Sequence, residues 1–119
     1  MSEYPLRDRT KKLALRIIHL VEALPNNETS RIISRQLLRS GTSVGANYRA
    51  SLRAKSKADM LNKWKIVEEE VDETLYWLEL LVEANIMPEA KLKPLMTEVD
   101  EITAMLVTSI NTLRRSDRS

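Results

Sequence analysis

The chain has 119 residues with a formal net charge of +2, two glycines, four prolines, no phenylalanine and no cysteine. This composition favours helices over sheets and excludes disulfides and thiolate chemistry. The apolar runs are too short to span a membrane and the N-terminus has no apolar signal core, so we expect a single-domain cytoplasmic protein with no membrane partner.

The first predicted helix runs from about Leu6 to Leu24, because apolar residues recur there at steps of three and four. Pro25 and the two asparagines after it end the helix. His19 is the only histidine, and it has no cysteine or second histidine with which to share a metal. We therefore expect it at the surface or the edge of the fold.

The second predicted helix is capped by Thr29 or Ser30 and runs to about Ala54. It contains Gly41 and Gly45, which lie one turn apart on one face. Two glycines inside a helix cost about 2 kcal/mol relative to alanine, so we expect another backbone to approach closely there. A loop is the alternative for this stretch, because Ser-Gly-Thr-Ser also resembles a turn.

Arginines form a stripe on the second helix, opposite its apolar face. At about 100° per residue they lie within about 40° of one another. Arginine suits bidentate contacts to phosphate, so the stripe is a candidate nucleic-acid site, although charged helix faces commonly serve only solubility. The four residues are Arg31, Arg35, Arg49 and Arg53.

Asn47 borders the apolar face of the same helix, among small side chains. A buried amide has to be hydrogen-bonded, so we expect a polar contact to the third helix, with Glu68 or Asp72 as the partner. The alternative places Asn47 at the surface of the bundle.

The third predicted helix spans about residues 57–84, after the capping serine Ser56, which has an acid three residues later. Asn85 suits the left-handed conformation that ends a helix. The fourth helix begins between Pro88 and Leu95, and both helices carry an apolar seam. The seams are Met60, Trp64, Val67, Val71, Leu75, Leu78 and Val82, then Leu92, Leu95, Val99, Ile102, Leu106, Ile110 and Leu113.

Four amphipathic helices with short connections predict an all-α protein, an up-down-up-down antiparallel four-helix bundle. We expect one domain over residues 6–114. Residues 115–119 have no apolar anchor and should form a frayed tail.

Three large apolar residues of the third helix lie off its seam, within about 60° of one another. Ile66, Trp77 and Leu80 therefore predict an interface, unless Trp77 lies along a neighbouring helix of the same bundle. The charges are also divided, since residues 1–65 hold 14 basic and 5 acidic residues and residues 66–119 hold 5 and 12. Such opposed surfaces predict a head-to-tail cyclic homo-oligomer or a polyanion on the basic side.

The sequence offers no site for catalysis. The acids of the third helix mostly point away from its seam and lack the Glu-x-x-His pairing of metal-binding bundles. No glycine-rich phosphate loop is present, and no serine has an evident base. We therefore expect no enzyme activity and no catalytic residue, metal, cofactor or small-molecule substrate.

Three segments carry a family resemblance. The first, residues 39–49, contains Arg39, Gly41, Ser43, Gly45 and Asn47; the others are residues 56–59 and 72–81. Together and in this order they resemble the 23S rRNA-intervening sequence protein family of bacterial four-helix bundles. The likeness covers about residues 6–113, and Ala50 stands where members often carry Glu.

The resemblance implies a four-helix bundle assembled as a ring, usually a homopentamer, and an association with inserted sequences in ribosomal RNA genes. Similar bundles are accessory proteins to the reverse transcriptases of diversity-generating retroelements, where they are thought to bind RNA and the polymerase. We therefore expect a non-catalytic oligomeric protein that binds RNA or a ribonucleoprotein through its basic surface. The alternative is a scaffold that binds protein and no nucleic acid.

Overall fold

The computed structural model describes residues 4–118. It contains four helices, α1 (Pro5–Glu22), α2 (Glu28–Ser51), α3 (Lys57–Glu83) and α4 (Glu89–Arg118). Each helix packs against the next along the chain, and α4 packs back against α1. The result is an antiparallel bundle that measures 52 × 25 × 23 Å. The predicted fold class, an up-down-up-down four-helix bundle, is confirmed.

The starts of α2 and α3 follow from side-chain caps. Asn27 Oδ1 accepts a hydrogen bond from Ser30 N at 2.9 Å. The prediction of Thr29 or Ser30 as the cap is therefore wrong, since asparagine caps equally well and lies earlier in the chain. Ser56 Oγ accepts from Asp59 N at 3.1 Å, which confirms the predicted start of α3.

α4 is one helix of 30 residues. It follows Asn85, which has a φ of 60° and ends the preceding helical segment as predicted. Pro94 lies inside α4 and does not separate a leading turn from the main helix. α4 also continues to Arg118, through the segment expected to fray. Its last turns are rich in arginine, which the helix dipole favours at a C-terminus, and Lys57 Nζ donates to Ser116 Oγ at 2.6 Å.

The buried face of α3 lies slightly round the helix from the predicted seam. Thr74 and Leu81 are fully buried, although neither belongs to that seam. Leu75 and Val82, which do belong to it, are only partly buried against the core. Apart from Tyr48, the core is aliphatic, and its residues form one cluster. The most deeply buried include Leu13, Ile17, Leu37, Val44, Val71, Leu78, Val99 and Ile102.

α1 and α2 come closest at the two glycines. α2 is helical throughout this stretch. The prediction of a helix is therefore confirmed, and the alternative of a loop is wrong. A Cβ atom at Gly41 would lie 3.1 Å from the side chain of Ile17, and one at Gly45 would lie 3.3 Å from the backbone of Thr10. The neighbour that the glycines admit is therefore α1, and its own backbone is the obstacle at Gly45.

Candidate nucleic-acid interface

α1 and α2 form the basic side of the bundle. Together they hold nine Lys or Arg and three Asp or Glu, whereas α3 holds three lysines and eight acids. The four arginines of the predicted stripe, Arg31, Arg35, Arg49 and Arg53, are all exposed. The structure thus leaves their guanidinium groups accessible, but it does not bring the four together.

One end of the stripe lies beside the turn between α1 and α2. Arg31 donates to Glu28 at 3.2 Å and to Asn26 at 3.0 Å. Arg31 and Arg35 border a small cavity of about 320 Å³ there. Arg35 and Arg49 are 14 residues apart in the sequence, which is about 21 Å along a helix. The stripe therefore consists of two separate parts.

Arg49, in the other part of the stripe, borders a larger cavity between α1 and α2. It has a volume of about 400 Å³, and three cations and one carboxylate surround it. Its lining includes Gly45, which has no side chain, and Ala46, which has only a methyl group. We call this cavity the basic groove; its lining residues are Arg7, Asp8, Lys11 and Ala14 of α1 and Thr42, Gly45, Ala46 and Arg49 of α2.

Arg49 belongs to the predicted stripe, whereas Arg7 and Lys11 were not predicted as site residues. These two residues lie four apart on α1, so they share one face of that helix. Their approach to Arg49 depends on how α1 and α2 are aligned, which the contact between Thr10 and Gly45 sets. A spacing of i and i+4 between two cations was the only sequence signal, and it is common on exposed helix faces.

Arg9 of α1 binds two acids of α4. Arg9 donates to Glu98 at 2.5 Å and to Glu101 at 3.1 Å, which ties α1 to α4. The hydrogen bond to Glu98 is the main reason that the pKa of Arg9 is raised further above its ordinary value. By contrast, Arg7 and Arg49 form no ion pair within residues 4–118.

Arg39, the first residue of the family motif, joins α2 to α3. Its guanidinium forms ion pairs with Glu70, at 3.5 Å, and with Glu73. Gln36 accepts further hydrogen bonds from it at 3.3 Å. The role visible in the structure is therefore to link two helices.

Asn47 makes its hydrogen bond within its own helix. Its Nδ2 donates to Ser43 O at 2.9 Å, and the side chain is only partly buried. The predicted contact to an acid of α3 is therefore wrong, because a backbone carbonyl one turn away already serves the amide. The polar contact between α2 and α3 is instead buried, and Thr74 Oγ1 donates there to Ser40 Oγ at 3.0 Å.

The three residues predicted as an interface differ in exposure. Ile66 is 44% exposed and Leu80 is partly buried. Trp77 packs partly against the core of its own bundle, and its Nε1 donates to Glu73 Oε2 at 3.1 Å. Trp77 thus packs within its own bundle, as the alternative predicted. Its neighbour Tyr76 is 52% exposed. The interface itself stays a prediction.

Within the described part of the chain, no three His, Cys, Asp or Glu side chains come together as ligands for a metal ion. None of the helices in residues 4–118 combines the length and the hydropathy that crossing a membrane requires.

The fold and the basic groove define a class: an antiparallel four-helix bundle with one strongly basic side. The family model of the 23S rRNA-intervening sequence protein matches residues 3–108. The chain belongs to this family, as its three motifs predicted. It is also similar to a solved protein of unknown function from the S23 ribosomal protein family of Bacteroides thetaiotaomicron, with 37% identity and a TM-score of 0.83. That match covers 88% of this chain and 97% of the other. No curated protein matches the chain.

Proposed function

We propose that the protein is a non-catalytic module that binds RNA, or a ribonucleoprotein, through the basic surface of α1 and α2. The observation that carries this proposal is the basic groove. Arg7, Lys11 and Arg49 border it, and three of its eight lining residues are glycine or alanine. A phosphate group could approach the helix backbones there and receive charge-assisted hydrogen bonds from several cations.

The distribution of charge supports a polyanion as the partner. The basic α1 and α2 lie on one side of the bundle, and the acidic α3 repels the same ligand from another. Such a field orients an approaching nucleic acid before contact. The names of the family and of the solved relative refer to ribosomal RNA and to a ribosomal protein family, which agrees with an RNA partner.

Salt dependence of binding to a structured RNA hairpin tests the proposal. Each phosphate contact contributes about one unit to the slope of log affinity against log salt. The triple variant Arg7→Ser, Lys11→Ser and Arg49→Ser should bind more weakly and lose up to about three units of slope. A matched control, Lys91→Ser, Lys93→Ser and Arg114→Ser, removes the same charge from the exposed surface of α4 and should change the slope much less.

Two results would contradict the proposal. If both triple variants lose the same affinity and slope, the groove is not the site and only the total charge matters. If the parent protein does not bind RNA even at low salt, the alternative of a protein scaffold is favoured. Circular dichroism should show parent-like helix content for both variants, since all six residues are at the surface.

We also propose that the chain forms a cyclic homo-oligomer, with a pentamer as the state that the family resemblance implies. The support is the exposure of Ile66 and Tyr76 on the acidic α3, which could meet the basic side of a second copy. Two different surfaces that meet head to tail close into rings. Light scattering of the variant Ile66→Glu with Tyr76→Glu should then report a smaller helical species. A parent that is monomeric at tens of micromolar would exclude the ring.

A further inference from the structure

A third cavity opens at the end of the bundle where α1 begins. α3 and α4 extend farther in this direction than α1, because Lys57 reaches Ser116 while α1 starts only at Pro5. We call this cavity of about 660 Å³ the aromatic groove; it is lined by Tyr4, Tyr48, Trp64, Met105, Thr108 and Ser109, among others.

The aromatic groove concentrates a residue type that the chain otherwise uses little. The whole sequence has three tyrosines, two tryptophans and no phenylalanine. Three of these five, Tyr4, Tyr48 and Trp64, line this one cavity. Unstacked bases of single-stranded RNA are held by stacking on aromatic side chains, whatever their sequence.

The aromatic rings are held in place before any ligand binds. Trp64 Nε1 donates to Ser51 Oγ at 2.9 Å, and Ser51 Oγ donates to Tyr48 O at 2.5 Å. The rings of Tyr48 and Trp64 are parallel within 4°, with their centroids 6.4 Å apart. Burial raises the pKa of the Tyr48 hydroxyl above its ordinary value. A base that stacks here costs little side-chain ordering.

The lining of the groove is mostly apolar, and α4 adds two polar residues to it. Thr108 and Ser109 contribute hydroxyl groups to the lining. Ser109 Oγ donates to Met105 O at 3.0 Å, which leaves its lone pairs free to accept another hydrogen bond. A nucleobase presents donors and acceptors at its edge, and hydroxyl groups can match either.

The two grooves lie next to each other. Tyr4, which directly precedes α1, lines the aromatic groove, and Arg7 and Lys11 of α1 border the basic groove. From Tyr4 to Lys11 the helix rises only about 10 Å. Phosphates held in the basic groove would therefore bring the bases of the same strand to the aromatic groove. This complementarity favours a nucleic acid over a neutral partner.

We infer that the aromatic groove binds an unpaired nucleobase of single-stranded RNA, stacked against Trp64. The inference rests on the proposed RNA binding and adds its substrate class, a single strand or an unpaired loop in place of a continuous duplex. The basic groove holds the backbone, and the aromatic groove selects strands whose bases are free to leave the stack.

Tryptophan fluorescence tests the stacking directly, because the chain has only Trp64 and Trp77. The variant Trp77→Phe keeps Trp64 as the reporter, and an eight-nucleotide oligouridylate at low salt is the probe. We expect saturable quenching of Trp64 fluorescence. The matched variant Trp64→Phe keeps Trp77, which lies on the other half of α3, and should show no quenching.

Filling the groove tests its selectivity. Ala104 is exposed and lines the cavity, so Ala104→Leu should narrow the cavity without disturbing the core. We expect its affinity for the oligouridylate to fall about tenfold, as the loss of one stacked base would predict, and its affinity for a duplex of the same length to stay unchanged. Ala90→Leu, at an exposed position near the start of α4, is the control and should change neither.

The outcomes separate this inference from the proposed function. RNA binding that is equal for single strands and duplexes, with Trp64 fluorescence unchanged, would overturn the inference and leave the proposed function standing. Absence of any RNA binding by the parent would overturn both. If Trp64 emission responds to protein concentration and not to oligouridylate, a second copy of the chain covers the groove and the inference is wrong.

Discussion

The α1–α2 contact and the α2–α3 contact hold the same helix in different ways. On the α1 side, α2 presents two glycines and packs closely against Ile17 and the backbone of Thr10. On the α3 side, it presents polar groups, and Ser40, Arg39 and Ser51 each bind a residue of α3. Within residues 4–118, no side-chain hydrogen bond of this kind joins α1 to α2.

This difference has a consequence for the surface. A contact made by small residues brings two helices close together and leaves few side-chain atoms on its outer side. That outer side is the basic groove. A contact made by polar pairs engages its charged side chains in ion pairs between helices, and Arg39 is an example. The α1–α2 contact therefore leaves its cations available to a ligand, whereas the α2–α3 contact fixes how the two helices are aligned.

Enlarging a glycine of the α1–α2 contact should have the largest effect. Gly45→Leu places a side chain against the backbone of Thr10, which cannot rotate away, and should lower the free energy of unfolding by about 3 kcal/mol. Gly41→Leu meets the side chain of Ile17 and should cost less, about 2 kcal/mol. Thermal and urea unfolding of both variants measure the difference.

Ala46→Leu is the control for this comparison, because Ala46 is adjacent and exposed. It should unfold like the parent. If Gly41→Leu and Gly45→Leu also unfold like the parent, the close packing of α1 and α2 does not stabilise the bundle, and the glycines need another explanation.

Removing the buried polar pair of the α2–α3 contact should have a smaller effect. Thr74→Val keeps the shape but removes the hydroxyl that donates to Ser40, and should cost about 1–2 kcal/mol because Ser40 loses its closest partner. Ser40→Ala should cost a similar amount. Because both changes break one bond, the double variant should cost less than the sum of the two; strictly additive costs would show that the pair is not coupled.

The sequence predicted those features that depend on neighbouring residues. Apolar periodicity is local, and so is the cap at Ser56, so the four helices and the start of α3 were predicted correctly. The burial of Thr74 was not predicted, because it depends on a contact with Ser40 in a different helix.

The candidate site also depends on contacts between helices, which the sequence alone does not reveal. Arg49 was predicted from its spacing on α2, but Arg7 and Lys11 border the groove only because the glycine contact places α1 beside it. The aromatic groove depends on where α1 begins relative to α3 and α4, a relation between helices that no single segment reveals. Tyr4, Tyr48 and Trp64 are far apart in the sequence, and their association appears only in the packed bundle.

Of the three changes to the contacts of α2, breaking the ion pairs of Arg39 should lower the free energy of unfolding least. Arg39 is half exposed, and the side chains of Glu70 and Glu73 are also partly in contact with solvent. Water and salt weaken such pairs, so Arg39→Gln should cost about 0.5 kcal/mol, and the cost should shrink as salt is raised. Urea unfolding at low and high salt measures both, with Arg35→Gln as a control on the same helix. A salt-independent loss above about 2 kcal/mol would mean that Arg39 stabilises the bundle by packing, and the contrast between a polar α2–α3 contact and an apolar α1–α2 contact would then be much weaker.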